Sequence, residues 1–287
     1  VAFSYSDVSS QHVMDLAGIA MGAGADFILL GPKSTMVRST KPLVSVCAVR
    51  TGVGKSATSR RLIEAIKATG LKAVSIRHPM PYGDLAKQKV QRFATYEDLD
   101  THECTIEERE EYEPVIDQGL VIFAGVDYEA ILREAEKEAD IILWDGGNND
   151  FPFYRSDLEF VLFDPHRVGH ESAYYPGSVN ARAADVAIIA KIETADPADV
   201  AKLRENISAM NPRAKIVEAR FPIRVDEGAD LSGKRLLVIE DGPTLTHGGM
   251  TYGAGVVASR QFEGVTLVDP RPFAVGSIKE TFDKYSH

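Results

Sequence analysis

From residue 41 onward the chain settles into a regular rhythm of short apolar runs separated by longer amphipathic stretches. The runs at 43–48, 72–76, 120–124, 141–144, 160–163, 186–192, 216–219, 236–239 and 265–268 are rich in β-branched residues and too short to be buried helices. Between several of them the apolar positions recur at helical spacing, as at 56–69, 128–138 and 197–210. Strand, helix, strand in this order predicts an α/β fold whose mostly parallel sheet is flanked by helices. In such sheets ligands bind beyond the carboxyl ends of the strands.

Two stretches depart from the rhythm. Residues 1–40 read as a strand (1–5), a helix (10–23) opened by Ser9 and Ser10 and closed by Gly22 and Gly24, and a second strand (26–30) ending at Gly31 and Pro32. Two strands and a helix make a poor domain, and the chain starts at Val1 with no methionine. The expectation is therefore the C-terminal part of a truncated Rossmann-like domain at 1–40, followed by the main domain at 41–287. Residues 82–119 are the second exception, dense in charge around Glu107, Glu108, Arg109, Glu110 and Glu111. They read either as a solvated helical excursion or as a lid inserted over a ligand.

The composition is that of an ordinary globular protein, with 44% hydrophobic and 26% charged residues. Against 42 acidic residues stand 32 basic ones, and the net charge of −10 argues against generic binding to nucleic acid or to an anionic membrane. Cys47 and Cys104 are too few for a disulfide framework and read as small buried hydrophobes in a reduced, cytoplasmic setting. No run of ~18 apolar residues is present to span a membrane. An anionic ligand must then be held by local features.

The strongest such feature follows the first main strand, where Val49-Arg50-Thr51-Gly52-Val53-Gly54-Lys55-Ser56-Ala57 leads into a helix. A strand, a glycine-containing loop ending Gly-Lys-Ser and a helix are the context of a phosphate-binding P-loop. Residues 51–57 are expected to cradle a nucleotide, with amides and helix dipole on the phosphates, Lys55 on the terminal phosphates and the Ser56 hydroxyl on Mg²⁺. The first glycine of the usual pattern is replaced by Val49. Arg50 stands where a subclass of these loops carries an extra lysine, and the segment resembles the loops of partition ATPases and dethiobiotin synthetase. The second metal ligand is expected to be Asp145, the acid ending the run Ile141-Ile142-Leu143-Trp144.

Base choice is read from the late strand. GTPases carry Asn-Lys-x-Asp there, whereas this chain has Ala190-Lys191-Ile192-Glu193. Ala190 lacks the amide and Glu193 is one methylene too long, so ATP is expected, with GTP possible and Lys191 beside the base.

A second strand, glycine-rich turn and helix occur at 236–255, with Thr244, Thr246, His247, Gly248 and Gly249 in the turn. Hydroxyls and glycines ahead of a helix suit an anion, though a turn needing glycine torsions would read the same way. Arg77 and His78 at the end of the 72–76 run, and Asn149 and Arg155 beyond Asp145, can supply further contacts to a phosphorylated small molecule.

Together, Ser75-Ile76-Arg77-His78-Pro79-Met80-Pro81-Tyr82-Gly83, Trp144-Asp145-Gly146-Gly147-Asn148-Asn149-Asp150 and Glu240-Asp241-Gly242-Pro243-Thr244-Leu245-Thr246-His247-Gly248-Gly249 resemble the cyclic 2,3-diphosphoglycerate synthetase family. The resemblance implies an ATP- and Mg²⁺-dependent ligase closing a phosphoanhydride in 2,3-bisphosphoglycerate or a related acid. Lys55, Arg50 and Asp145 would serve the transferring group, and His78 or His247 a proton. A nucleotide-dependent switch related to partition proteins and metallochaperones is the other reading. Relatives of this P-loop subclass often pair across the nucleotide, so a homodimer is expected, with Arg50 reaching toward the partner's phosphates.

Overall fold

The computed structural model describes residues 1–78, 84–146, 150–240, 242–246 and 248–285. They form two compact units, Val1–Arg220 and Phe221–His287. The units divide at 220/221, so residues 1–40 fall in the first unit and the last 67 residues form the second.

The first unit is built on an eight-stranded sheet. Across it the strands run Lys215–Glu218, Val186–Ile189, Leu158–Phe163, Leu43–Ala48, Ile141–Asp145, Ala73–Arg77, Val121–Ala124 and Gln91–Phe93. Every neighbouring pair is parallel except the last, in which Gln91–Phe93 lies antiparallel at the edge. All six residues of Leu43–Ala48 are buried, which is why that run carries no polar alternation. One apolar cluster joins Leu43, Ile76, Phe123 and Trp144 to Ile131 and Leu132 of the helix Tyr128–Glu138. Another joins Cys47, Val161 and Phe163 to Ala181, Leu203 and Ile207 of the helices Gly177–Ala183 and Pro197–Met210.

Leu43–Ala48 is the topological switch point. From it the chain crosses to Ala73–Arg77 on one side, and after Ile141–Asp145 it passes to Leu158–Phe163 on the other. The loop leaving Leu43–Ala48 therefore opens where an α/β sheet leaves a crevice at its carboxyl edge. The same edge receives Arg77, Asp145, Asp164 and Lys191 from the ends of four other strands.

The segment expected as an excursion or lid is anchored. It supplies the edge strand Gln91–Phe93 and the helices Tyr96–Thr101 and Ile106–Ile116, whose Leu99, Tyr112, Val115 and Ile116 are buried. Each helix begins with a reciprocal capping box, Thr95 with Asp98 and Thr105 with Glu108. Residues 79–83 lie outside the described residues.

At the N-terminus, Ser9 caps the helix Ser10–Gly22, while Ala2–Phe3 and Ile28–Leu29 form a two-stranded parallel pair. Val8–Ser9 pairs antiparallel with Tyr174–Tyr175. Asp7, between these elements, accepts a 2.8 Å bond from Arg50 Nε and another of 2.8 Å from the Thr51 hydroxyl. The Arg50 guanidinium lies 3.7 Å from the Tyr174 ring centroid and approaches His170 Nδ1 at 2.8 Å. A guanidinium only donates, so Nδ1 accepts and the imidazole is neutral.

In the second unit the runs at 236–239 and 265–268 are reduced to a parallel pair, Arg235–Leu236 with Thr266–Leu267, instead of extending the main sheet. Among the described residues no helix is long and apolar enough to cross a membrane.

Two consequences are open to measurement. A Cβ on Gly177, the first residue of its helix, would stand 2.3 Å from the Val49 carbonyl oxygen. Gly177→Ala must therefore displace the start of the glycine loop, and a loss of about 1–3 kcal/mol is expected in urea unfolding; an unchanged midpoint would show that the loop gives way freely. Burial, with Arg50 and Arg167 nearby, lowers the His170 pKa to about 4. The unfolded imidazole takes up its proton near pH 6.5, so this contribution to stability is whole above that pH and is lost as pH falls toward 4. The decline in urea midpoint between pH 6.5 and 4.5 should be shallower in His170→Asn than in the wild type, whereas parallel declines would contradict the assignment.

Candidate active site

The loop after Leu43–Ala48 turns on two glycines, Gly52 with φ 77° and Gly54 with φ 118°. Both torsions lie in the left-handed region where a side chain is strained, and Gly54 leads directly into the helix Lys55–Ala68. Thr51, Gly52, Val53, Gly54, Lys55, Ser56 and Ala57 thus form one continuous strand-to-helix turn, the local geometry expected of a P-loop.

The outer side of the turn is held by cations. Arg167 Nη2 donates to the Thr51 carbonyl at 2.8 Å, and Lys191 Nζ donates to the Gly52 carbonyl at 2.6 Å. Both cations face Asp164, with Arg167 at 2.7 Å and Lys191 at 3.9 Å. Burial would raise the Asp164 pKa, but Arg167 and Lys191 outweigh it and hold the carboxyl below its ordinary value. Burial also lowers the Lys191 pKa against the pull of Asp164. Lys191, expected beside the base, here braces the loop backbone.

The inner side is a chain of charges. Arg77 Nη1 donates to Asp145 Oδ2 at 2.5 Å, and Nη2 meets Glu111 Oε1 at 2.7 Å. The other oxygen of Glu111 accepts from the Ser56 hydroxyl at 3.3 Å. Burial works to lower the Arg77 pKa, yet Asp145 and Glu111 together raise it, so the guanidinium is charged. The Lys55 pKa is lowered, by burial first and then by Arg77, with Asp145 opposing. Ser56, Glu111 and Asp145 line one small cavity together with Ser59, Arg60 and Ile63. Asp145 is 5% exposed, and its Oδ1 is buried with no hydrogen-bond partner among the described residues.

That orphaned oxygen beside a serine hydroxyl fits a divalent cation. Among the described residues no group of three or more His, Cys, Asp or Glu converges on a metal position. Mg²⁺ is commonly held by one or two carboxylates, with phosphate oxygens supplying the rest.

The other expected residues distribute as follows. His78 Nδ1 lies 2.8 Å from Asp150 Oδ2; burial works to raise the Asp150 pKa, but His78, Ser6 and Lys55 together hold it below its ordinary value. Arg50 is buried and engaged with Asp7 and His170 rather than reaching toward a partner's phosphates. The Arg155 side chain is exposed, and its backbone N–H bonds to the Val37 carbonyl. Asn149 and His247 lie outside the described residues.

Thr244, Thr246, Gly248 and Gly249 belong to the second unit, where the short helix Gly242–Thr246 ends against Gly248. The anion position expected there is filled from within. The Glu240 carboxylate accepts from the backbone N–H groups of Gly253, Gly255 and Val256 at 2.8–3.1 Å. A Cβ at Gly253 would come within 2.5 Å of that carboxylate, so the glycine belongs to an internal anion seat.

Three contributors were missed by sequence reasoning. Glu111 lay in a charge run read as a solvated or lid helix; the Thr105–Glu108 capping box was the available signal for where that helix starts. Asp164 and Arg167 carried no motif, being recognisable only by their place at a strand end.

No family model matches the chain. It is 66% identical over all 287 residues to a protein of Thermococcus kodakarensis named arginine synthetase ArcE, and it spans 64% of that protein's length. Among solved structures it is similar to the hydrogenase maturation factor HypB of Archaeoglobus fulgidus, at 20% identity and TM-score 0.42, covering 62% of this chain and 80% of that one. It is also similar to LpxK of Aquifex aeolicus in complex with ATP, at 13% identity and TM-score 0.43, covering 90% and 89%. The full-length identity to a protein named arginine synthetase overturns the resemblance to the cyclic 2,3-diphosphoglycerate synthetase family, and with it both the cyclic phosphoanhydride and the switch reading. The motifs behind that resemblance are of a kind suited to phosphate chemistry, which many NTP-driven reactions share, and they leave the acceptor unspecified.

Proposed function

We propose that this chain carries the nucleotide site of an NTP-dependent, Mg²⁺-dependent ligase whose product is arginine. The observation behind the reading is the 66% identity to an arginine synthetase across every residue of the chain, joined to a strand-loop-helix turn bearing Lys55 and Ser56 with Asp145 beside it. ATP is the proposed nucleotide. Buried Ala190 offers no side-chain amide to a guanine, and its backbone N–H is spent on the Phe163 carbonyl.

In this reading the amides of 51–57 and the Lys55 ammonium hold the β- and γ-phosphates, and Ser56 and Asp145 hold the cation. When bound, Mg²⁺ neutralises phosphate charge as the phosphoryl group transfers. The protein's own part is to orient the groups and exclude water. Arginine ends in a guanidinium, whose carbon bears only nitrogen. An NTP-driven route to it converts an oxygen on that carbon into a phosphate ester, which a nitrogen nucleophile then displaces as inorganic phosphate. The His78–Asp150 pair stands at the same carboxyl edge. With Nδ1 lying 2.8 Å from that carboxylate, Nε2 is the nitrogen we assign to take a proton from the attacking amine.

The reaction is tested without knowing the acceptor by running it backward. Arginine, ADP, phosphate and Mg²⁺ should yield ATP with the wild-type chain, and Lys55→Ala should lower that rate by about 100-fold or more. EDTA should abolish it, and GDP should replace ADP poorly. An ATP yield independent of arginine would sink the reading, as would full activity in Lys55→Ala.

A further inference from the structure

Asp145 and Glu111 reach the Ser56 end of the glycine loop from different elements, a central strand and a helix of the edge layer. One cation joins them. Arg77, 6% exposed, spans both carboxylates at 2.5 and 2.7 Å, while Glu111 also takes the Ser56 hydroxyl. The arrangement compensates both carboxylates with a single guanidinium and leaves Asp145 Oδ1 unpartnered on the cavity that Ser56 and Glu111 line. A buried carboxylate oxygen without a donor is costly, and it persists where a ligand completes it.

We propose that Arg77 is an internal counter-ion of the metal seat. Without nucleotide it bridges Asp145 and Glu111; the divalent cation that enters with the nucleotide replaces it there, and Glu111 joins Ser56 and Asp145 in holding that cation. This rests on the nucleotide reading given above and adds two roles to it, a cation-holding one for Glu111 and an exchange for Arg77.

The exchange has an electrostatic logic. Arg77 and a dication compete for the same two carboxylates, so the seat binds metal poorly until phosphate oxygens add their charge. Metal and nucleotide are thereby made to bind together. The displaced guanidinium remains on the carboxyl edge beside Lys55, where its planar fork suits phosphate or carboxylate oxygens. Arg77 is thus a positioning residue in the empty site and a candidate anion ligand in the filled one.

The test uses Mn²⁺ as probe, its free concentration read by electron paramagnetic resonance, with the whole chain in the presence and absence of ADP. Without nucleotide, Arg77→Gln should bind Mn²⁺ about tenfold more tightly than the wild type, because its competitor is gone. With ADP, Glu111→Gln should weaken Mn²⁺ about tenfold. Should Arg77→Gln fail to fold, Glu111→Gln decides, since its side chain is partly exposed and the substitution keeps its shape. Unchanged Mn²⁺ affinity in Glu111→Gln, or a folded Arg77→Gln with no gain, overturns the proposal while ADP binding stands. A wild-type chain that binds no ADP overturns the nucleotide reading itself, and this proposal with it.

Discussion

A loop that turns its amides inward to phosphate must turn carbonyls outward, and those carbonyls need donors of their own. Here the donors are Arg167 for Thr51 and Lys191 for Gly52. Neither cation could remain at the edge of a buried sheet alone, and Asp164 serves both. A buried ion left without its partner costs about 3–5 kcal/mol, so the shape of the glycine loop depends on one aspartate at the end of a neighbouring strand. The parallel order of the sheet makes this possible, because every strand delivers its last residues to the same edge.

The inner charges follow the same economy. The chain has a formal charge of −10, yet its candidate site gathers Lys55, Arg77, Arg167 and Lys191 on one edge of the sheet. An anionic ligand is accommodated locally against the global surplus, because buried charges are screened far less than those at the surface. Arg77 faces Asp145 and Glu111, while Arg167 and Lys191 face Asp164. The site is therefore nearly balanced before any ligand arrives, and adding phosphate calls for a cation to accompany it.

This separation of local from long-range features explains what the sequence made legible. Leu43–Ala48, the Gly-Lys-Ser turn and Asp145 are contiguous signals, each readable from a window of a few residues, and the sheet rhythm followed from runs such as Ile141-Ile142-Leu143-Trp144. Glu111 draws its role from Arg77 and Ser56, 34 and 55 positions away, Asp164 from Lys191, 27 away, and Arg167 from Thr51, 116 away, and no local pattern marks them. The turn at 244–249 shows the same limit. It does precede an anion-binding helix start, but Glu240, four residues upstream, is the anion. Composition shows that such a seat exists; only the fold shows that the chain fills it itself.

Arg50 carries this reasoning to the N-terminal residues. An arginine in a phosphate loop invites a role with phosphate, but Asp7, Tyr174 and His170 surround it with an ion pair, a ring face and a ring nitrogen. Asp7 also takes the Thr51 hydroxyl, so one carboxylate touches two consecutive loop residues from a segment that forms no part of the main sheet. The strand pair between Val8–Ser9 and Tyr174–Tyr175 holds that segment in place. The first forty residues are thus coupled to the conformation of the glycine loop. A change in their packing would be transmitted through Asp7 to Arg50 and Thr51, ahead of any effect on the sheet.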